Sequence, residues 1–122
     1  MKLSTIEKLI TGELSPADFR METAKELFQY ENLVKKVGSV IPIYCEEDIE
    51  FEVSINEVRK LCEFFLNDQL NARELAYIAD ALQLSENTIL KGETIADLVA
   101  ELTDSEINGP FTKARAREIL GD

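Results

Sequence analysis

Carboxylates are the only chemically capable side chains that this sequence of 122 residues carries in quantity. There are 24 Asp and Glu against 13 Lys and Arg, a formal net charge of -11, and no histidine. Without imidazole the chain lacks the commonest general base, the usual activator of a Ser or Cys nucleophile, and the commonest metal ligand. Paired carboxylates can still act as acid and base or hold a divalent cation, but no Asp-x-Asp-x-Asp-Gly spacing occurs, and acids this abundant single out no pair. No catalytic residue, metal ligand or cofactor is assigned, and the chain is read as a non-enzyme. The two thiols, Cys45 and Cys62, are too few for the disulfide framework of a small secreted module and are read as reduced.

What remains for the carboxylates is electrostatics. Glu46, Glu47, Asp48, Glu50 and Glu52 place five acids within seven residues with no base among them. A second run, Glu86, Glu93, Asp97, Glu101, Asp104 and Glu106, faces only Lys91. A solvated surface is the plain reading of either run alone. Two such runs in one chain point to a field that repels nucleic acid phosphates and anionic lipid and attracts a cationic protein. The candidate partner-binding residues are therefore Glu46, Glu47, Asp48, Glu50 and Glu52 from the first run and Glu93, Asp97 and Glu101 from the second. Tyr44 beside the first run is a candidate aromatic anchor, with a role in the core equally open.

These residues need elements to position them. The hydrophobic content of 45% in a chain of this length predicts one core and one domain over residues 1–122. Leu3, Ile6, Leu9 and Ile10 recur at helical spacing and stop at Gly12. Ser15 before Pro16 reads as an N-cap with proline at the first helical position, opening the longest helix, whose apolar face is expected to hold Phe19, Thr23, Ala24, Leu27, Phe28, Tyr30, Val34 and Val37 up to Gly38. Between residues 39 and 53 the period changes. Pro42 rules out a continuous helix, and Ile49, Phe51 and Val53 alternate with acids, so the segment reads as an extended connection with no strand to pair with.

Ser54 with Glu57 forms a capping box before the stripe Ile55, Val58, Leu61, Cys62, Phe65 and Leu66, and Asn71 with Glu74 opens another helix through Leu75, Ile78, Ala79 and Leu82. Ile95, Leu98, Val99 and Leu102 share a further helical face. Asn108, Gly109 and Pro110 break the chain before a last helix around Ala114, Ile119 and Leu120, in which the basic cluster Lys113, Arg115 and Arg117 complements the helix dipole. The expected fold is all-α, about six short helices with one extended connection near residues 39–53. Lys2, Glu7 and Lys8 interrupt any signal-peptide core, and no apolar stretch approaches the roughly 20 residues needed to span a bilayer, so a cytoplasmic location is expected.

Residues 72–91 also have the pattern of a helix-turn-helix, with a recognition helix starting near Ser85. Such a helix must bring Lys or Arg to phosphates, whereas Lys91 is followed by Glu93, Asp97 and Glu101, and Leu82, Leu84 and Ile89 are better placed in the core. An acidic regulator or a protein-docking module using this segment stays open as the alternative function.

The run Leu70-Asn-Ala-Arg-Glu-Leu-Ala-Tyr-Ile-Ala-Asp-Ala-Leu-Gln-Leu, followed by Ile95-Ala-Asp-Leu-Val-Ala-Glu-Leu and Ser105-Glu-Ile-Asn-Gly-Pro, resembles the immunity proteins of bacterial contact-dependent growth inhibition systems. The likeness covers the carboxyl-terminal half and consists of helical phrases rather than catalytic signatures. It implies an intracellular antidote that binds a cognate toxin domain, commonly a nuclease, over its basic substrate groove, with no direct contact to nucleic acid or membrane. No site residue and no oligomeric state transfers from it.

Overall fold

A computed structural model of the chain describes residues 1–34, 45–103 and 111–121. Six helices make up most of it: α1 (Leu3–Thr11), α2 (Pro16–Val34), α3 (Ile55–Leu66), α4 (Ala72–Leu84), α5 (Glu93–Leu102) and α6 (Lys113–Leu120). Two short strands, β1 (Phe51–Val53) and β2 (Thr88–Leu90), pair in parallel. No helix among the described residues is long and apolar enough to cross a membrane.

The helix starts and stops follow local chemistry. Ser15 Oγ accepts the Asp18 N–H at 3.1 Å, which caps α2 ahead of Pro16. The Glu57 carboxylate reaches back to the Ser54 N–H at 3.3 Å and hydroxyl at 3.0 Å. Asn71 Oδ1 accepts the Glu74 N–H while Glu74 accepts the Asn71 N–H, each at 2.8 Å, a complete reciprocal box at the head of α4. Gly12 ends α1 in the left-handed conformation, with φ of 90° and its N–H on the Leu9 carbonyl.

The helices surround α3, which packs against α6 most extensively and also meets α1, α4, α5 and β1. Val58, Leu61, Cys62, Phe64 and Phe65 form its buried face and join Leu3, Ile6 and Leu9 of α1, Leu75, Ile78 and Leu82 of α4, and Val99 and Leu102 of α5 in one hydrophobic cluster. Each fully buried Leu or Ile there contributes about 1.5–3 kcal/mol relative to an exposed one. Ile55, expected in that stripe, is exposed, and Phe64 is buried beside it instead. The register favours Phe64 because it follows Leu61 by three positions and precedes Phe65 and the α3–α4 turn, whereas Ile55 occupies the first, outward position of the helix.

Helix α2 buries a narrower stripe than its composition suggests. Phe19, Thr23, Leu27 and Tyr30 face the core at four-, four- and three-residue intervals, while Ala24 lies outside and Phe28 is 67% exposed. A single line of contact with α1 and α4 accepts only the i, i+4, i+8, i+11 row. The helix is held by polar links as well. Arg20 Nε donates to both oxygens of Glu74 at 3.1 and 2.9 Å, Tyr30 donates to Asp80 at 3.2 Å, and Tyr77 donates to Glu26 at 2.8 Å. Tyr30 and Tyr77 meet edge to face, centroids 5.0 Å apart.

The extended connection finds a partner after all. Phe51, Glu52 and Val53 lie in register with Thr88, Ile89 and Leu90, the Phe51 N–H on the Asn87 carbonyl and the Lys91 N–H on that of Val53, both at 3.0 Å. Helices α3 and α4 form the crossover that a parallel pair requires. Residues 39–44 of the expected connection lie outside the described residues, as do Val37 and Gly38.

The same pairing removes the recognition helix of the helix-turn-helix reading, since Thr88–Leu90 is a strand and not the second helix. Nor are Leu84 and Ile89 core residues: they are 65% and 47% exposed, and only Leu82 of the three is buried. In the last helix Ala116 is the buried residue, Ile119 and Leu120 are half-buried and Ala114 is exposed.

Candidate protein-binding face

The parallel ladder brings the two acidic runs side by side. Along β1, Phe51 and Val53 turn inward and are buried, so the two-residue period turns Glu50 and Glu52 outward. Glu52 stands opposite the exposed Ile89 on the same face, and Lys91 at the end of β2 reaches Glu52 at 3.4 Å. Gly92, at φ 97° and ψ 165°, turns the chain into α5 through a conformation open only to glycine, and this turn places Glu93 in the first turn of the helix. Ile95, Leu98, Val99 and Leu102 bury the inner face of α5 as the spacing predicts, leaving Glu93, Asp97 and Glu101 along the outside. The result is an apolar side chain, Ile89, on a short ladder bordered by Glu50, Glu52, Glu86 and Glu93, with Lys91 as the cation within these segments.

The candidate residues divide sharply. Glu47 is a structural acceptor: its Oε1 takes the Ser85 hydroxyl at 2.6 Å and the Asn87 N–H at 3.0 Å, and its carbonyl takes the Asn87 side-chain amide at 3.2 Å. The Ser85 bond first and the backbone donor second hold its carboxyl below the usual glutamate range. Asp48 accepts from the Ser4 hydroxyl and from the Ser4 N–H at 3.1 Å, supplying from across the fold the cap that Lys2 does not give α1. The hydroxyl bond, followed by the N–H, lowers its pKa. Glu46 is fixed through its backbone, donating its N–H to the Met1 carbonyl at 2.8 Å and accepting the Leu3 N–H at 3.0 Å, with its side chain exposed.

Glu101 is also engaged. Arg115 of α6 binds it through Nε at 2.7 Å and a terminal nitrogen at 2.9 Å, a two-pronged pair that lowers the Glu101 pKa and raises that of Arg115. The other terminal nitrogen of Arg115 reaches Glu118 at 2.9 Å, and Lys113 pairs with Asp68 at 2.6 Å. Only Arg117 sits in the last turn of α6, so the dipole role expected of the whole basic cluster belongs to it alone.

Glu47, Asp48 and Glu101 are therefore engaged within the fold while remaining exposed, and Glu52 is shared with Lys91. Among the described residues no ion pair or hydrogen bond engages the carboxylates of Glu46, Glu50, Glu93 or Asp97. Tyr44 lies outside the described residues. Sequence reasoning missed Ile89 as a surface residue, and the signal was present: the β-branched pair Thr88 and Ile89 stands too close to Gly92 for a helix.

Cys62 lies within the core with its thiol pushed up to about 11 by burial, and burial also raises Cys45, so burial works against the thiolate at both free thiols. Among the described residues no group of three or more Cys, Asp or Glu is placed to hold a metal ion. A shallow groove of about 420 Å³ lies between α2 and the start of α4, floored by the Arg20–Glu74 pair and edged by Phe28. Its two charges already satisfy each other, Glu74 being only 4% exposed.

No family model, no curated protein and no solved structure matches this chain.

Proposed function

We propose that this chain is an inhibitory binding protein of the immunity type, which captures a basic toxin domain, a nuclease in the leading case, and covers its substrate groove. The observation that carries the proposal is the ladder itself, which sets the unpaired acids Glu50 and Glu93 and the shared acid Glu52 around the exposed Ile89. An apolar anchor inside a charged rim is the arrangement that gives a protein interface both affinity and steering. A nuclease groove is necessarily basic, so a surface of net charge -11 approaches it quickly and the outward carboxylates take the positions of phosphates.

The test is a titration against the toxin domain encoded beside the gene. The double reversal Glu50→Lys with Glu93→Lys is expected to raise Kd by roughly a hundredfold, mainly through slower association at low salt, with the fold unchanged. An unchanged Kd, or a neighbouring gene that encodes no toxin, overturns the proposal.

A further inference from the structure

We infer that the outer edge of β2 is the docking strand of this face, and that its occupant is an extended, basic segment of the partner protein added as the next strand of the ladder. The inference rests on the binding role proposed above and specifies how the partner is held. In a parallel pair the backbone groups of alternate residues point to opposite sides. The observed register commits the Asn87 carbonyl, both groups of Ile89 and the Lys91 N–H to β1. It leaves the N–H and C=O of Thr88 and the N–H of Leu90 on the far side, where no further strand is found among the described residues. The Leu90 carbonyl alone is satisfied there, by the Gly92 N–H at 2.9 Å.

A second observation falls on the same residue. The Thr88 hydroxyl is the one side-chain polar atom among the described residues that is shielded from solvent with no hydrogen-bond partner. That hydroxyl lies on the inward face with Phe51, so what Thr88 leaves unmade along the edge is its N–H and C=O. An edge of this kind is normally blunted by a charged or proline residue on the strand itself, and Thr-Ile-Leu contains neither. A short edge still suffices for strand addition when flanking side chains contribute.

Charge selects the occupant. Glu86 precedes the strand, Glu93 follows it, and Glu50 and Glu52 lie on the neighbouring strand, against the single cation Lys91, which Glu52 already holds. A second copy of this chain would bring like charge to the edge, so an added strand carrying Lys or Arg on alternate positions fits where self-pairing does not. Its intervening apolar residues would turn to the opposite, inward face, alongside Thr88 and Leu90.

The experiment uses the full chain with a synthetic hexapeptide of alternating lysine and valine, and the same peptide methylated on alternate backbone nitrogens, which keeps charge and side chains but removes one hydrogen-bonding edge. Amide hydrogen exchange and peptide titration are read together. The expected result is slowed exchange at Thr88 and Leu90 with the unmethylated peptide, and affinity weaker by roughly tenfold with the methylated one. A Thr88→Pro variant removes an outer N–H without touching a bond to β1 and should weaken binding of the unmethylated peptide, its fold being checked by helix content. Equal affinity for the two peptides overturns strand addition while leaving the electrostatic reading standing. Failure of both peptides to bind overturns both, and slowed exchange that appears without peptide and grows with protein concentration assigns the edge to a second copy.

Discussion

Five acids from Glu46 to Glu52 lie on extended backbone, and three from Glu93 to Glu101 lie on a helix, and the two conformations put their charge to different uses. Extended backbone alternates its side chains and runs past several elements, so Glu47 meets Ser85 and Asn87 after α4, Asp48 meets Ser4 in α1, and Glu46, Glu50 and Glu52 turn outward. The helix keeps its acids in one row at i, i+4 and i+8, and only the last of them comes within reach of another element, where Arg115 of α6 takes Glu101. A surplus of carboxylates in composition is therefore not the same surplus at the surface. The extended run holds the fold together with half of its charge, and the helical run displays most of its own.

The largest effect that separates these roles comes from deleting them in pairs. Glu47→Ala with Asp48→Ala removes the acceptors that tie residues 45–53 to the α4–β2 turn and to the start of α1. The expected outcome is a fall in Tm on the order of 5–10 °C. Glu50→Ala with Glu93→Ala, which breaks no hydrogen bond or ion pair among the described residues, should move Tm by no more than about 2 °C in either direction. Thermal unfolding followed by circular dichroism decides it, and equal losses in the two double variants would erase the distinction.

The legible part of the molecule was its helices. Both capping boxes, the Ser15–Pro16 start of α2 and the inward row of α5 follow from spacing that a local rule captures. What stayed hidden depends on partners distant in sequence. β1 has no identity without β2, 37 positions further on in the register Phe51↔Thr88, and a three-residue Thr-Ile-Leu carries no period of its own. The site shared this limit, because Glu50 and Glu47 are the same residue type in the same acidic run and differ only in what the fold brings to them. Phe28 and Met21, the latter 79% exposed, show the converse: apolar residues on a real helix that the neighbouring elements do not reach.

A smaller effect follows from protonation. Glu47, Asp48 and Glu101 all have folded-state pKa values below their ordinary ones, through hydrogen bonds from Ser85, Ser4 and Arg115 respectively. The unfolded chain then binds more protons than the folded one as pH drops, so their stabilisation is complete above the ordinary carboxylate values of 4.5 and 3.8 and is lost as pH falls through the lowered ones. Tm should stay level from neutral pH to about pH 5.5 on account of these groups and decline below it. In the triple variant Glu47→Gln, Asp48→Asn, Glu101→Gln the starting Tm is lower and the decline between about pH 5 and pH 3 is shallower. A parallel decline in wild type and variant would mean that these carboxylates gain nothing from their partners.

The smallest effect is local and needs a local probe, which the two thiols provide. Cys45 opens the extended run, two positions before Glu47, and is half-buried, while Cys62 lies in the middle of α3 with no exposure. Burial, and then the negative charge of Glu47, raises the Cys45 pKa, so in the native chain both thiols should react slowly with a neutral disulfide reagent near pH 8. Losing the Glu47 and Asp48 contacts should free residues 45–48 without unfolding α3, because the core around Val58, Leu61 and Phe65 involves neither carboxylate. Removing Glu47 also removes its negative charge from the thiolate, which favours the same direction. In the Glu47→Ala, Asp48→Ala variant Cys45 is therefore expected to react about tenfold faster while Cys62 keeps its native rate within about twofold. Labelling of both thiols at one common rate would instead mean that the extended run opens only with the whole core, and that its carboxylates serve the global fold rather than one seam of it.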